Sequence, residues 1–346
     1  MDLPLRYLTE AGAEPVISVD GAFGAPGLNL SHWPGNRTPA KLRRDLSTGI
    51  ALAFAQLPAA ERESLARGAT AIVNNHFDTD GVLSLFAARH PTRALPRSAA
   101  LLNAAAAGDF FRGFDERGYA LDCIVGAAAD RERSPIAAEL AGLSEAERFL
   151  RATEFLFEHL PHLLDGDQAL FSNLYEEPLA TLRADLADLG AASKDDIAHL
   201  DLCVWTAAPN AKSKGRSAFD PGRHGLFHEV TRDRVLCVGP GTAGTTYRFI
   251  LGTLSWFELV TRKCLPRASL EAIARDLNER EGTDGQADIA WRCQPTASPS
   301  PELWFGRAQH SMFAEHCAAL EPSKMNSATV RRTIAEALRS VLVLPD

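Results

Sequence analysis

The chain has 346 residues, of which 46% are hydrophobic and 23% charged, enough apolar side chain to build two domain cores, which excludes a disordered or fibrous protein. Its 36 Lys and Arg against 44 Asp and Glu leave a net charge of -8, which excludes a general electrostatic attraction to nucleic acid or to an anionic membrane surface. The 6 cysteines include no C-x-x-C pair, so neither a disulfide framework nor a tetrathiolate zinc site is expected, and the thiols read as reduced.

In chain order, residues 1–15 carry Asp2, Arg6, Glu10 and Glu14 with no apolar stretch, so no secretory signal is expected. The longest apolar region, 247–260, contains Arg248 and Glu258 and is too short to span a bilayer. A cytoplasmic protein with no membrane association is the expectation. The first forty or so residues are rich in Gly and Pro, and 30–39 reads as a structured loop. Thr38 before Pro39 fits an N-cap with proline in the first turn of a helix running to about Gln56, with Leu42, Leu46 and Ile50 on one face. A short helix over 59–67 follows. The apolar run 69–73 is of strand type and leads into Asn74-Asn75-His76-Phe77-Asp78-Thr79-Asp80-Gly81, then a helix over 81–90 ended by Pro91. A second apolar run, 98–107, stops at Gly108-Asp109 before another helical segment. This rhythm of strand, polar turn and helix predicts a parallel sheet.

From Ser144 the pattern changes. Ser144-x-x-Glu147 is a capping-box signature, continued by Phe149, Leu150, Phe155, Leu156 and Leu160 at helical spacing, and a second helix is predicted over 168–189. Beyond the polar stretch 193–196, strands are predicted at 200–206, 234–238 and 287–292, a mostly buried helix at 245–262 and an amphipathic helix at 269–281. The expected fold class is α/β: two α/β domains, 1–140 with a parallel-type sheet and 200–346, joined by a helical connector over 141–199.

His76-x-Asp78-x-Asp80-Gly81 places an imidazole and two carboxylates directly after an apolar strand. On an extended strand, side chains two apart lie roughly 6 to 7 Å from each other, whereas ligands of one cation with bonds near 2.1 Å are at most about 4.2 Å apart. The segment must therefore curl, or hold two metals about 3.5 to 4 Å apart that share a carboxylate and activate a water. Its place at a strand's carboxyl end favours a site, since open α/β sheets bind ligands there. An Asp helix cap beside a turn glycine would explain Asp80 and Gly81 but leave His76 and Asp78 unaccounted for.

An apolar strand, His-x-Asp-x-Asp-Gly, and a helix with an early serine, Ser84, together resemble the first motif of the DHH phosphoesterase superfamily. The resemblance implies two α/β domains with a helical linker, bound manganese or magnesium, and hydrolysis of phosphoesters or phosphoanhydrides between the domains. It implies that His76, Asp78 and Asp80 are metal ligands and that Asp109 is similar to an aspartate supplied by a later strand. Read alone, Asp109 could equally cap a helix beginning at Phe110. The chain has no Asp-His-His, and its motif begins some seventy residues in, so other residues must complete the site or it binds fewer ions. His32, in the Gly and Pro-bounded loop Ser31-His32-Trp33-Pro34-Gly35-Asn36, is a candidate ligand, with packing over the domain edge as the alternative.

In the second domain, Asp220-Pro221-Gly222-Arg223-His224-Gly225-Leu226-Phe227-His228 reads as a loop, because two glycines oppose a helix, and it offers Arg223, His224 and His228 to an anionic substrate. The run from Gly239 through Gly241 and Gly244 to Arg248 reads as a strand-to-helix turn whose N–H groups could cradle an anion, with Arg248 as a fork. In the superfamily a glycine-rich stretch of the second domain binds the anionic end of the substrate, which this run resembles by placement. The cluster around His159, His162 and Asp165 reads as structural, at a helix end.

The expected function is divalent-metal-dependent hydrolysis of a phosphoester or other small anionic substrate by metal-activated water, with Mn, Mg or Fe as the ion, catalysis by His76, Asp78 and Asp80, and a homo-oligomer compatible with the sequence. One rival is a haloacid dehalogenase-like phosphatase, whose motif resembles 77–83, with Asp78 as nucleophile, Asp80 as general acid and base, and Lys194, Asp195 and Asp196 recruited downstream. The other is a non-catalytic binding protein on a hydrolase-like fold.

Overall fold

The computed structural model describes residues 3–342 apart from 9, 22–23, 309–314 and 318. They divide into two units, 1–179 with 257–263, and 180–256 with 264–346. The fold is α/β in both, with a parallel sheet in the first and a mixed sheet in the second.

The first unit begins with strands β1 (Leu5–Tyr7), β2 (Val16–Val19) and β3 (Gly27–Leu30). Helices α1 (Ser47–Gln56) and α2 (Ala59–Leu65), strand β4 (Ile72–Asn74) and helices α3 (Thr79–Arg89), α4 (Pro91–Ala94), α5 (Ser98–Phe110), α6 (Glu116–Ala128), α7 (Ala137–Leu140) and α8 (Glu145–Asp165) follow. The sheet order is β1-β4-β2-β3, and every pairing is parallel. The carboxyl ends of β2, β3 and β4 therefore lie at the same edge. Ile17, Leu28 and Ile72 of the sheet share a core with Phe54, Leu83, Phe86 and Leu101 of the helices. The Ser144 capping box forms as expected, its hydroxyl and the Glu147 side chain each satisfying a helix-end N–H, a motif worth about 0.5 to 2 kcal/mol.

Helix α9 (Ser172–Gly190) runs from one unit into the other. The second unit holds β5 (Ser193–Ile197), β6 (Leu202–Thr206), α10 (Arg223–His228), β7 (Arg234–Gly241), β8 (Gly244–Leu251), α11 (Leu270–Glu281), β9 (Ala290–Cys293), β10 (Glu302–Gly306) and α12 (Ser327–Val341). Its sheet runs β5-β6-β7-β8-β10-β9, parallel only between β6 and β7. Apolar faces of α11 and α12, through Ile273, Leu277, Ile334 and Leu338, close a core with Leu236, Tyr247, Phe249 and Trp291. Among the described residues no helix is long and apolar enough to cross a membrane.

Several expectations need correction. The first forty residues hold three strands, and the helix expected from Thr38 begins only at Ser47, after a short 3-10 turn at Ala40–Leu42. The Thr38 hydroxyl instead donates to the Ser31 carbonyl, 2.7 Å away, and so pins the His32 loop. The run 98–107 is the alanine-rich helix α5, apolar because it packs between α3 and α6, and alanine is the best helix former. Asp109 therefore lies in the last turn of a helix, neither at a strand end nor at an N-cap.

In the second unit, 193–196 belongs to strand β5, and the helix expected over 245–262 is instead strand β8 as far as Leu251, followed by a 3-10 turn at Thr253–Ser255. Thr245, Thr246, Tyr247, Phe249 and Ile250 are β-branched or aromatic, and β8 is flanked by β7 and β10 and buried along most of its length, which erases the alternation that would mark a strand. Gly239 to Gly244 is the tip of a hairpin in which Gly241 pairs with Gly244, so no helix N-terminus stands there to hold an anion. The stretch read as a loop at 223–228 is the short helix α10.

Candidate metal centre

Asp20 follows directly on β2 and adopts a left-handed backbone, φ 60°, which aspartate tolerates better than most residues. His32 stands two residues beyond β3. His76 and Asp78 lie in the loop after β4, and Asp80 in the first turn of α3. The parallel register thus brings three strand ends to one place, where a ligand site is expected in an open α/β sheet, and α5 adds Asp109. Two groups of ligand atoms result, each within 4.8 Å of one another: Asp20, His32, Asp80 and Asp109, all buried, and Asp20, His76 and Asp78, of which the last two are partly open. Asp20 belongs to both.

The two histidines are held in the same way. His32 Nδ1 lies 2.5 Å from the Asp45 carbonyl oxygen, and because a carbonyl only accepts, Nδ1 carries the proton. Nε2 is thereby turned toward Asp109 Oδ2 at 3.1 Å, Asp20 Oδ1 at 3.5 Å and Asp80 Oδ2 at 3.6 Å. His76 Nδ1 is 2.8 Å from Asn75 Oδ1, and its Nε2 is 2.9 Å from Asp20 Oδ2 and 3.0 Å from Asp78 Oδ2. An acceptor on one ring nitrogen with the other aimed into a carboxylate cluster is the arrangement of metal-ligating histidines.

The carboxylates are positioned by backbone. Asp80 Oδ2 and Oδ1 accept the Ser47 and Thr48 N–H groups at the start of α1, each at 2.8 Å. Asp78 caps α3 by accepting from the Gly81 N–H at 2.8 Å. Glycine at 81 lets these groups approach the helix start, since a Cβ there would stand 2.3 Å from Asn74 Nδ2 and 2.9 Å from Asp78 Oδ1 and both side chains would have to move. Neither oxygen of Asp20 nor Nε2 of His32 receives a hydrogen bond of good geometry among the described residues, although all three atoms are buried.

Burial and the mutual proximity of the carboxylates shift several of these groups. Burial, together with the Asp20 carboxylate, pushes Asp80 up to about 6. Burial and the carboxylates of Asp80, Asp78 and Asp20 hold Asp109 well above the usual range. Burial opposes a charged His76, but Asp78 and Asp20 outweigh it and hold the imidazole well above its ordinary value. Burial would likewise raise Asp78, but His76 outweighs it and holds the carboxyl low. Orphaned buried oxygens, imidazole nitrogens and an excess of carboxylate fit a mixed N and O site for Mn, Fe or a related divalent ion.

Of the residues expected at the site, His76, Asp78, Asp80, Asp109 and His32 are brought together. Asp20 was missed. Its signal was an apolar Val16-Ile17-Ser18-Val19 followed by Asp-Gly, obscured by the surrounding glycines and prolines.

The basic residues expected to bind substrate are otherwise engaged. Arg248, 1% exposed, donates to Glu302 at 2.8 and 3.0 Å and to Asp220 at 3.2 Å, and Arg223, 0% exposed, pairs with Glu302 and Ser300. Both are buried because β8, β10 and α10 pack their polar inner positions against one another, so neither offers a fork to a ligand. His224 is paired with Glu315 at 2.8 Å, His228 ends α10 half-buried, and Gly241 sits at the hairpin tip. Lys194, Asp195 and Asp196, required by the phosphatase rival, lie on β5, where Lys194 donates to the Glu229 carbonyl and the aspartates pair with Arg331 and Arg232. A third group, Asp185, Glu315 and His316, has its carboxylates already engaged by the Gly222 and His224 N–H groups and Arg216.

A model described as a family of unknown function (DUF6687) matches residues 4–343. No curated protein and no solved structure matches the chain.

Proposed function

The chain belongs to the DUF6687 family, and we propose that it is a divalent-metal-dependent hydrolase acting on a phosphoester or other small anionic substrate. The observation that carries the reading is the pair of histidines, each committed through Nδ1 to an acceptor and through Nε2 to carboxylates, with the buried Asp20 common to both sets. Asp20, His32, Asp80 and Asp109 would hold one cation, and Asp20, His76 and Asp78 a second, with Mn the preferred ion for such a mixed set and Mg or Fe the alternatives. Charge supports two: deprotonated as ligands, the carboxyls of Asp20, Asp78, Asp80 and Asp109 would carry four negative charges, which two divalent ions balance. When bound, such ions lower the pKa of a coordinated water and polarise the electrophilic centre.

The chain's own groups divide the remaining work. The side chains of His76 and Asp78 are 25% and 39% exposed, so water and substrate reach the site on their side. The Trp33 ring, 4.8 Å from the His76 imidazole, forms one wall of that approach. Asp80 is fixed by α1 and orients without moving. A cytoplasmic setting, with the 6 cysteines unpaired as they stand here, belongs to the same reading.

The test is metal analysis of protein purified without chelator, followed by assay against a panel of phosphoesters. Bound divalent metal and a turnover abolished by Asp78→Asn with the fold retained would support the proposal. Metal without turnover would favour a binding protein, and an aspartyl-phosphate trapped at Asp78 would establish the phosphatase rival.

A further inference from the structure

We propose that Phe257 is a positioning residue for the metal ligand His32, carried on a strap, residues 257–263, that seals the buried half of the centre; the inference rests on the metal-centre reading above. The strap packs with the first unit although the residues flanking it, Trp256 and Cys264, belong to the second. Phe257 lies face to face with the His32 imidazole, ring centroids 3.8 Å apart at 20°, and Phe110 meets Phe257 edge-on at 6.0 Å. The hydrogen bond from His32 Nδ1 to the Asp45 carbonyl settles the tautomer and sets the aim of Nε2, but a single contact at one edge of the ring leaves it able to swing about its Cβ–Cγ bond by stretching that hydrogen bond. A flat apolar face against the imidazole removes this freedom, so Nε2 keeps its aim at Asp109, Asp20 and Asp80.

The strap is fastened at both ends. The Glu258 N–H donates to the His32 carbonyl at 2.8 Å, while its carboxylate accepts from the Gly35 N–H and the Asn36 amide, each at 2.8 Å. Farther on, Asp45 Oδ1 accepts the Val260 and Thr261 N–H groups at 2.7 and 3.0 Å. Asp45 therefore holds the imidazole with its carbonyl and the strap with its carboxylate. No residue of the strap belongs to the ligand groups, so its effect is on aim and on exclusion of water.

The test measures Mn affinity and release, and the visible spectrum of the Co-substituted protein, in full-length wild type and variants. Phe257→Ala should raise the Mn dissociation constant about 10- to 100-fold, the range for loss of a partner that orients a ligand, speed release and change the Co spectrum. Phe257→Tyr should restore all three. Glu258→Ala unfastens the strap from an exposed position without opening a cavity, and should shift the same quantities in the same direction if Phe257→Ala does not fold. Wild-type affinity and spectrum in the folded variants would overturn the strap's role while leaving the metal centre standing. A wild-type protein that binds no divalent metal would overturn both.

Discussion

Asp20 Oδ2 stands 2.9 Å from His76 Nε2, while the other oxygen of the same carboxylate faces His32, so a residue at the end of one strand reaches histidines that follow two others. The two groups should therefore respond differently to substitution. Asp20→Asn should remove binding at both positions, whereas His76→Ala should remove only the outer cation. Metal stoichiometry after gel filtration checks this, with two ions per chain in wild type, one in the His76 variant and none in the Asp20 variant.

Gly81 tests how closely the loop is built around the carboxylates. Gly81→Ala would force a Cβ onto the Asn74 amide and the Asp78 carboxylate. Overpacking of this kind costs about 1 to 3 kcal/mol. We expect a lower urea midpoint together with weakened metal binding, and the same change at exposed Gly12, which has open space around it, should leave both unaffected.

Arg248 separates a structural role from substrate binding. Removing it leaves Glu302 and Asp220 buried with their compensation reduced, a loss of about 3 to 5 kcal/mol. Chemical denaturation of Arg248→Met should show that loss, while turnover per folded molecule stays at the wild-type value. A selective rise in KM in a stable variant would return the residue to the substrate site.

The first sheet's strand at 72–74, the helix at 79–89 and the capping box at Ser144 were legible because each has local punctuation: an apolar run before polar residues, an N-cap, or a Ser and Glu pair at the right spacing. Asp20 and strand β8 were not, for opposite reasons. The strands around Asp20 are only three or four residues long and lie among glycines and prolines, too short for any period to emerge. Strand β8 is long enough, but burial on both faces, Arg248 included, leaves it no alternation of apolar and polar residues, and such a run does not distinguish strand from helix. His32 and Asp109 came forward as separate residues, but only the pairing of β2, β3 and β4 and the packing of α5 on α3 bring their elements together.

Acid should weaken the second unit through Glu315. Burial alone would raise this carboxyl, but the His224 imidazole and backbone N–H outweigh it and hold it at about 2, below its ordinary 4.5. A depressed carboxyl adds stability above its unfolded value and loses it as the pH falls toward the folded one. The destabilisation caused by Glu315→Gln should thus be full at pH 7, decline below about 4.5 and vanish near 2, as read from denaturation midpoints across that range. A difference independent of pH would contradict the assignment.

The most direct measurement is anomalous diffraction from crystals grown with Mn. The account predicts two peaks, one among Asp20, His32, Asp80 and Asp109 and one among Asp20, His76 and Asp78, with the Asp20 carboxylate between them. Ordered Mn elsewhere with no peak at Asp20, while the imidazoles remain in direct contact with the carboxylates, would contradict it.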